Sequence, residues 1–200
     1  MSAAEAGGPS VARTVGHQLP WLADAGRVDR AVYSAVAQAE TPTLDRGMQV
    51  LSNAADHSKL WLGIATLLAA TGGASGRQAA VQGLASVGVS SLLVNAVAKQ
   101  VGRRPRPERP AEHRATAKVS MPTSASFPSG HSASAFAFAT GVAARLPVTA
   151  MPLHALAGAV AYSRVHTGVH YPGDVLVGSV MGTVIAQITT RSVRRYFGWR

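Results

Sequence analysis

Long stretches of this chain carry no charge. One runs from Leu60 to Gly76, and after Arg77 a second runs from Gln78 to Ala98. Three more follow, from about His131 to Ala144, Val148 to Ser163 and Val175 to Thr190. None shows the strict alternation of a half-buried strand. The second is about twenty residues, enough to cross a hydrocarbon core about 30 Å thick at about 1.5 Å per residue. The pattern predicts an all-α protein with five membrane helices. The third and fourth are short, and the fourth contains Pro152 and His154. Trp61 opens the first, at the place of an interfacial aromatic.

Upstream the pattern becomes amphipathic. Over residues 24–39, Val28, Ala31, Val32, Ala35 and Val36 share a helical face, with Asp29 and Arg30 off it. Thr41-Pro42-Thr43 breaks that helix, and Leu44, Met48 and Leu51 form the apolar side of the next. Helices lying in the membrane interface have this character; two soluble helices packed together would share it. The predicted organisation is a flexible tail (1–22), amphipathic interfacial helices (23–58), a membrane domain (59–191) and a basic-aromatic tail (192–200). No repeat is found.

Composition sharpens this. The chain is 47% hydrophobic and 14% charged, against about 25% charged in typical soluble proteins. Its many small residues suit close helix contact in a bilayer. The net charge of +10 points to nucleic acid, or to anionic lipid and phosphate. The basic residues are not interleaved with aromatics, and no helix carries a basic face beside a soluble core. A nucleic-acid partner is therefore not expected. No cysteine is present, which excludes disulfides, thiol catalysis and thiolate zinc sites. No apolar run follows a basic start, so no signal peptide is expected.

Three polar islands interrupt the apolar sequence: Lys99 to Pro107, Phe127 to His131, and Tyr162 to Asp174. Five helices would bring all three to one membrane face. Lys99, Arg106 and Arg164 supply positive charge, and arginine binds phosphate bidentately. Ser129-Gly130 opens the third helix, where unpaired backbone N–H groups make an anion site. His170 stands four residues before Asp174, the only acidic residue after Glu112. A carboxylate on one ring nitrogen fixes the tautomer and frees the other nitrogen to attack. His131 is a second imidazole, able to protonate a leaving group. A metal-dependent phosphatase would need several carboxylates. These parts match metal-independent phosphoryl transfer through a phosphohistidine, with no cofactor.

The islands read K-x6-R-P (Lys99 to Pro107), P-S-G-H (Pro128 to His131) and S-R-x5-H-x3-D (Ser163 to Asp174). This resembles the three-part signature of the type 2 phosphatidic acid phosphatase (PAP2) superfamily, whose members include membrane lipid phosphatases, bacterial acid phosphatases and vanadium haloperoxidases. The resemblance covers about Leu60 to Thr190. It implies that His170 is the nucleophile, Asp174 its orienting partner and His131 the general acid. It also implies that Lys99, Arg106, Ser129, Gly130 and Arg164 bind the phosphoryl group. Many bacterial membrane members have an additional helix before the interfacial segment, and residues 1–58 have none.

The expected function is therefore an integral-membrane phosphatase acting on a lipid phosphomonoester or diphosphate. Polyprenyl and glycerolipid substrates both fit, and short bacterial members of the family lean the reading to the polyprenyl class. A vanadate-dependent haloperoxidase-like enzyme is the alternative in the same fold, opposed by the membrane-length segments. A non-catalytic lipid-binding protein is the other, opposed by the complete motifs. Arg103, Arg104, Arg109, Arg114 and Lys118 read as ordinary juxtamembrane charge, His166 as support, His154 as packing, and Asp56 or Ser58 as a helix cap. The expected location is a bacterial cell membrane. The difficulty of exporting the longer N-terminal segment leans the active face to the cytoplasm, whereas the common six-helix members of the family would suggest the outer face.

Overall fold

The computed structural model describes residues 20–39, 41–98, 100, 104–109 and 119–199. Helices α1 (Pro20–Ala37) and α2 (Pro42–Ala55) lead through a 3-10 turn, Asp56–Ser58, into α3 (Lys59–Thr71) and α4 (Gly73–Leu93). A π turn, Val94–Ala98, continues α4. After the polar connection come α5 (Gly130–Ala143), the 3-10 turn Pro147–Thr149, α6 (Ala150–His166) and α7 (Pro172–Phe197). No strand occurs among the described residues. Residues 1–19 of the expected flexible tail lie outside them, as do Lys99, Arg103, Arg114 and Lys118.

Each of the five uncharged stretches folds as a helix, α3 to α7. Two helices, Gly73–Ala96 and Pro172–Phe197, have the length and apolar composition to cross a membrane. Helices α3, α5 and α6, with 13, 14 and 17 residues, rise only about 20 to 26 Å. Helix length alone thus supports two of the five expected spans. Helix α7 continues through Phe197, so the basic-aromatic segment begins as its last turns.

The first helical boundary differs from expectation. The chain turns at Gly72–Gly73, where Gly73 takes φ +58°, and Arg77 lies inside α4. A Cβ on Gly76 would stand 2.1 Å from the Leu68 carbonyl oxygen. The α3–α4 hairpin closes this tightly because glycine leaves room for it. Trp61 also departs from expectation. It is fully buried and packs on Phe138 with ring centroids 5.2 Å apart. It is a core residue of the α3–α5 contact, with no side toward an interface.

Helix α5 is the axis, packed by α4, α6 and α7. Ala133, Ala135, Ala137 and Ala139 are wholly enclosed. Helix α7 meets it backbone to backbone. A Cβ at Gly182 would lie 2.1 Å from the Ala133 carbonyl oxygen, and one at Gly178 2.5 Å from that of Ser129. This small-xxx-small spacing holds the start of α5 against the start of α7.

Helix α1 docks through Tyr33, Val36 and Ala37 onto α6 and α7. Of its predicted apolar face only Val36 packs inward; Val28, Ala31, Val32 and Ala35 are turned away, with Val28 63% exposed. Leu62 and Leu67 of α3, Leu92 of α4, and Leu176, Val180 and Ile188 of α7 also point outward. An apolar exterior of this extent marks an interaction surface.

Candidate active site

Helix α6 ends at His166, and the chain curls back on it before α7 begins. The Arg164 carbonyl accepts the N–H groups of both Val169 and His170, each at 3.1 Å. Gly168 permits the turn at φ +70°. His170 is thereby enclosed, 2% exposed. Its Nδ1 faces Asp174 Oδ2 at 3.5 Å, an electrostatic pairing at the outer limit of a hydrogen bond. Its Nε2 lies 3.3 Å from Arg106 Nη1. A guanidinium can only donate, so Nε2 is the acceptor and the ring proton sits on Nδ1, toward the carboxylate.

Burial pushes the His170 imidazole down to about 4. The Asp174 carboxylate opposes this, and the charges of Arg106 and Arg164 add to the lowering. His170 is therefore neutral near pH 7, with its unprotonated Nε2 facing the Arg106 donor.

Asp174 occupies the third position of α7 and is fully buried. Oδ2 accepts the Tyr171 N–H at 3.0 Å, and Oδ1 accepts Arg104 Nη1 at 3.0 Å. Its carbonyl accepts the Ser129 N–H at 2.9 Å. That bond ties the second and third polar islands together. Arg106 is pinned by backbone. Nε donates to the Ser124 carbonyl at 2.9 Å and Nη1 to that of Val169 at 2.8 Å. Nη2 donates to Ser124 Oγ at 3.2 Å.

Ser129 caps α5, its Oγ accepting the Ser132 N–H at 3.4 Å. Gly130 and His131 form the first turn, where backbone N–H groups have no intrahelical acceptor. His131 Nε2 stands 2.7 Å from Asp56 Oδ1. Arg164 is 1% exposed, donates from Nη1 to Ser52 Oγ, and lies 3.6 Å from the same Asp56 oxygen. The structure thus groups His170, Asp174, Arg106 and Ser129 directly, and brings in His131 and Arg164 around Asp56. Lys99, expected beside them, lies outside the described residues.

The family model of the PAP2 superfamily matches residues 79–197. The chain belongs to the PAP2 superfamily. It is 35% identical over 159 residues to the decaprenylphosphoryl-5-phosphoribose phosphatase of Mycolicibacterium smegmatis, covering 78% of this chain and 84% of that one. The protein of that name from Mycobacterium tuberculosis matches at 37% over 106 residues, 50% of this chain and 56% of its own. Two solved structures share the fold. LpxE of Aquifex aeolicus aligns with TM-score 0.65 at 24% identity, covering 82% of this chain and 95% of that one. A transmembrane PAP2-type phosphatidylglycerolphosphate phosphatase from Bacillus subtilis aligns with TM-score 0.66 at 23% identity, covering 90% and 89%. With these relatives, this PAP2 chain is a phosphatase.

The PAP2 motifs did not disclose every residue at the site. Arg104, expected to be ordinary juxtamembrane charge, holds Asp174. It bridges Asp174 to Asp29 Oδ2 at 2.6 Å, and its guanidinium stacks 3.9 Å from the Tyr171 ring centroid. Asp29, on α1, also accepts the Gly173 N–H at 2.7 Å. Asp56, expected to cap a helix, sits instead against His131. Only the number of basic residues in the first island hinted at Arg104. Nothing local marked the two aspartates, whose partners lie 75 or more residues away. His166 pairs with Asp45 at 2.7 Å and His154 with Thr140 at 3.2 Å, fastening helices together.

Proposed function

We propose that this PAP2 protein is an integral-membrane lipid-phosphate phosphatase working through a phosphohistidine on His170. The observation that carries this reading is the His170 imidazole enclosed between a carboxylate and a guanidinium. Asp174 stands behind its Nδ1, and its Nε2 is presented to the Arg106 guanidinium. A phosphoryl group drawn to Arg106 would meet that lone pair directly. Arg164, Lys99, the Ser129 hydroxyl and the first amides of α5 would share the charge on its oxygens. The Ser129 N–H is committed to Asp174, so Ser129 would act through its side chain. Nε2 attacks phosphorus as the ester P–O bond breaks, and His131 gives the leaving oxygen its proton. Water then attacks the phosphohistidine, breaking P–N and releasing orthophosphate. No step calls for a metal.

We also read α3 to α7 as membrane helices. The outward leucines and valines support this, as does the enclosure of short α5 by longer neighbours. Helices α1 and α2 would lie in the interface, with Val28 and Val32 toward lipid. The substrate class we favour is a polyprenyl-linked phosphate, decaprenylphosphoryl-5-phosphoribose in particular. It rests on the similarity to the mycobacterial proteins of that name.

The test is phosphate release in detergent, with chelator present, from a panel of lipids. The panel holds a polyprenylphosphoryl phosphoribose, undecaprenyl diphosphate, phosphatidic acid and phosphatidylglycerophosphate. The expected result is release unaffected by chelator and greatest kcat/KM on the first. Release from none of the four would sink the reading; a preference for phosphatidylglycerophosphate would overturn the substrate class. We place the catalytic face toward the cytoplasm, where Arg27, Arg30, Arg46 and Lys59 add to the positive charge of that side. The chain lacks cysteine, so single cysteines at Asp24 and Val148, on opposite faces, can be labelled in intact cells. Labelling of Asp24→Cys but not Val148→Cys by an impermeant reagent would reverse the orientation.

A further inference from the structure

Asp56 belongs to none of the three PAP2 motifs, and it comes from the junction of α2 and α3. Its Oδ1 lies 2.7 Å from His131 Nε2. The backbone is bent to deliver it there. Asp56 itself is extended, with φ −64° and ψ 140°. The next two residues, His57 and Ser58, take left-handed conformations at φ 55° and 60°. Neither is glycine, and such conformations are unfavourable for other residues. Two in succession, beside a catalytic cluster, are held there by their surroundings. The adjacent end of α2 is anchored as well: Ser52 is buried and accepts the Arg164 guanidinium.

We propose that Asp56 is the positioning carboxylate of His131, forming a second histidine–carboxylate pair opposite His170–Asp174. This rests on the phosphatase reading above, and concerns its proton rather than its nucleophile. The groups facing His131 are Asp56 from the α2–α3 junction, Arg164 from α6 and His170 from the α6–α7 turn. Among these, Asp56 is the carboxylate, and Arg164 carries fixed positive charge. With Nε2–H held by Asp56, the imidazolium donates its Nδ1 proton to the leaving oxygen as P–O breaks. The neutral ring keeps its Nε2–H on Asp56. Its Nδ1 then takes the proton of the water that attacks the phosphohistidine, and orthophosphate leaves as P–N breaks. Both steps balance on the one ring.

A proton donor matters in proportion to how poor the leaving group is. The experiment compares wild type, Asp56→Asn, Asp56→Glu and His131→Gln on an alkyl lipid phosphate and on p-nitrophenyl phosphate, whose leaving group needs no proton. Asp56→Asn is expected to lower kcat on the alkyl ester by about 10²-fold and on the aryl ester by less than about 3-fold. Asp56→Glu should recover much of the loss. Adding Asp56→Asn to His131→Gln should cost nothing more. Equal loss on both substrates would make Asp56 merely structural and overturn the proposal. Faster turnover in Asp56→Asn would overturn it too, by showing that the carboxylate obstructs the site. Thermal unfolding in detergent identifies a folding failure of Asp56→Asn, in which case Asp56→Glu and the leaving-group dependence of His131→Gln decide. The two readings fail separately. Wild-type turnover with no leaving-group effect removes the role of Asp56 alone; no wild-type turnover of either ester removes both.

Discussion

Replacing His170 by alanine is expected to abolish phosphate release, by about 10⁴-fold or more, with the fold intact. The ring is enclosed but makes few bonds of its own. Its Nε2 meets Arg106 at 3.3 Å and its Nδ1 only faces Asp174 at 3.5 Å. What alanine removes is the atom that would attack phosphorus. Labelled substrate followed by rapid quenching at alkaline pH, where phosphohistidine survives, should trap label on the wild type and none on His170→Ala. Retained turnover in the variant would sink the mechanism. The same residue predicts a pH profile. Burial holds His170 down to about 4, below the usual imidazole value of about 6.5, so its neutral form persists as pH falls from 7 to 5. The acid limb of kcat/KM due to the nucleophile should fall near pH 4, once the substrate's own second ionisation near about pH 6 is divided out.

Gly182→Val is expected to be the most damaging change outside the cluster. A Cβ at that position would lie 2.1 Å from the Ala133 carbonyl oxygen and 2.8 Å from its carbon. Both are backbone atoms of α5 and cannot turn aside as a side chain would. Helix α7 must move off α5, and the Ser129 N–H bond to the Asp174 carbonyl lies one turn away along α5 and about two along α7. We expect about 3 kcal/mol of destabilisation, read as a lower thermal midpoint in detergent, with loss of activity. Gly158→Ala is the control. Nothing lies within 4 Å of a Cβ there, and alanine favours a helix over glycine. Equal melting of Gly182→Val and wild type would show that the α5–α7 contact is looser than described.

The parts of the site that were legible in the sequence share a property: their chemistry is carried by neighbours along the chain. His170 and Asp174 are four residues apart, and Ser129 caps the helix that His131 helps to open. The resemblance to PAP2 motifs works because those spacings are short. The helices α3 to α7 were legible for a related reason, since absence of charge is a local signal. Their boundaries were less so. No charge marks the turn at Gly72–Gly73, and the reason it falls there is the Gly76–Leu68 approach across the hairpin. Trp61 illustrates the same limit. Its position at the start of an apolar run suits an interfacial aromatic equally well, and only Phe138, on another helix, makes it core.

By itself the amino-acid sequence determined the all-α class, the apolar segments and the PAP2 motifs that hold the candidate groups. The tertiary structure decided how those groups are charged and held. Arg104 became the partner of a buried carboxylate because α1 brings Asp29 to it. Asp56 became the partner of His131 because a strained turn places it at the start of α5. Electrostatic energy depends on distance in space and on exclusion of water, and neither can be read from separation along the chain. The three islands were written in order; the two aspartates that support them were written far away, and only folding brought them in.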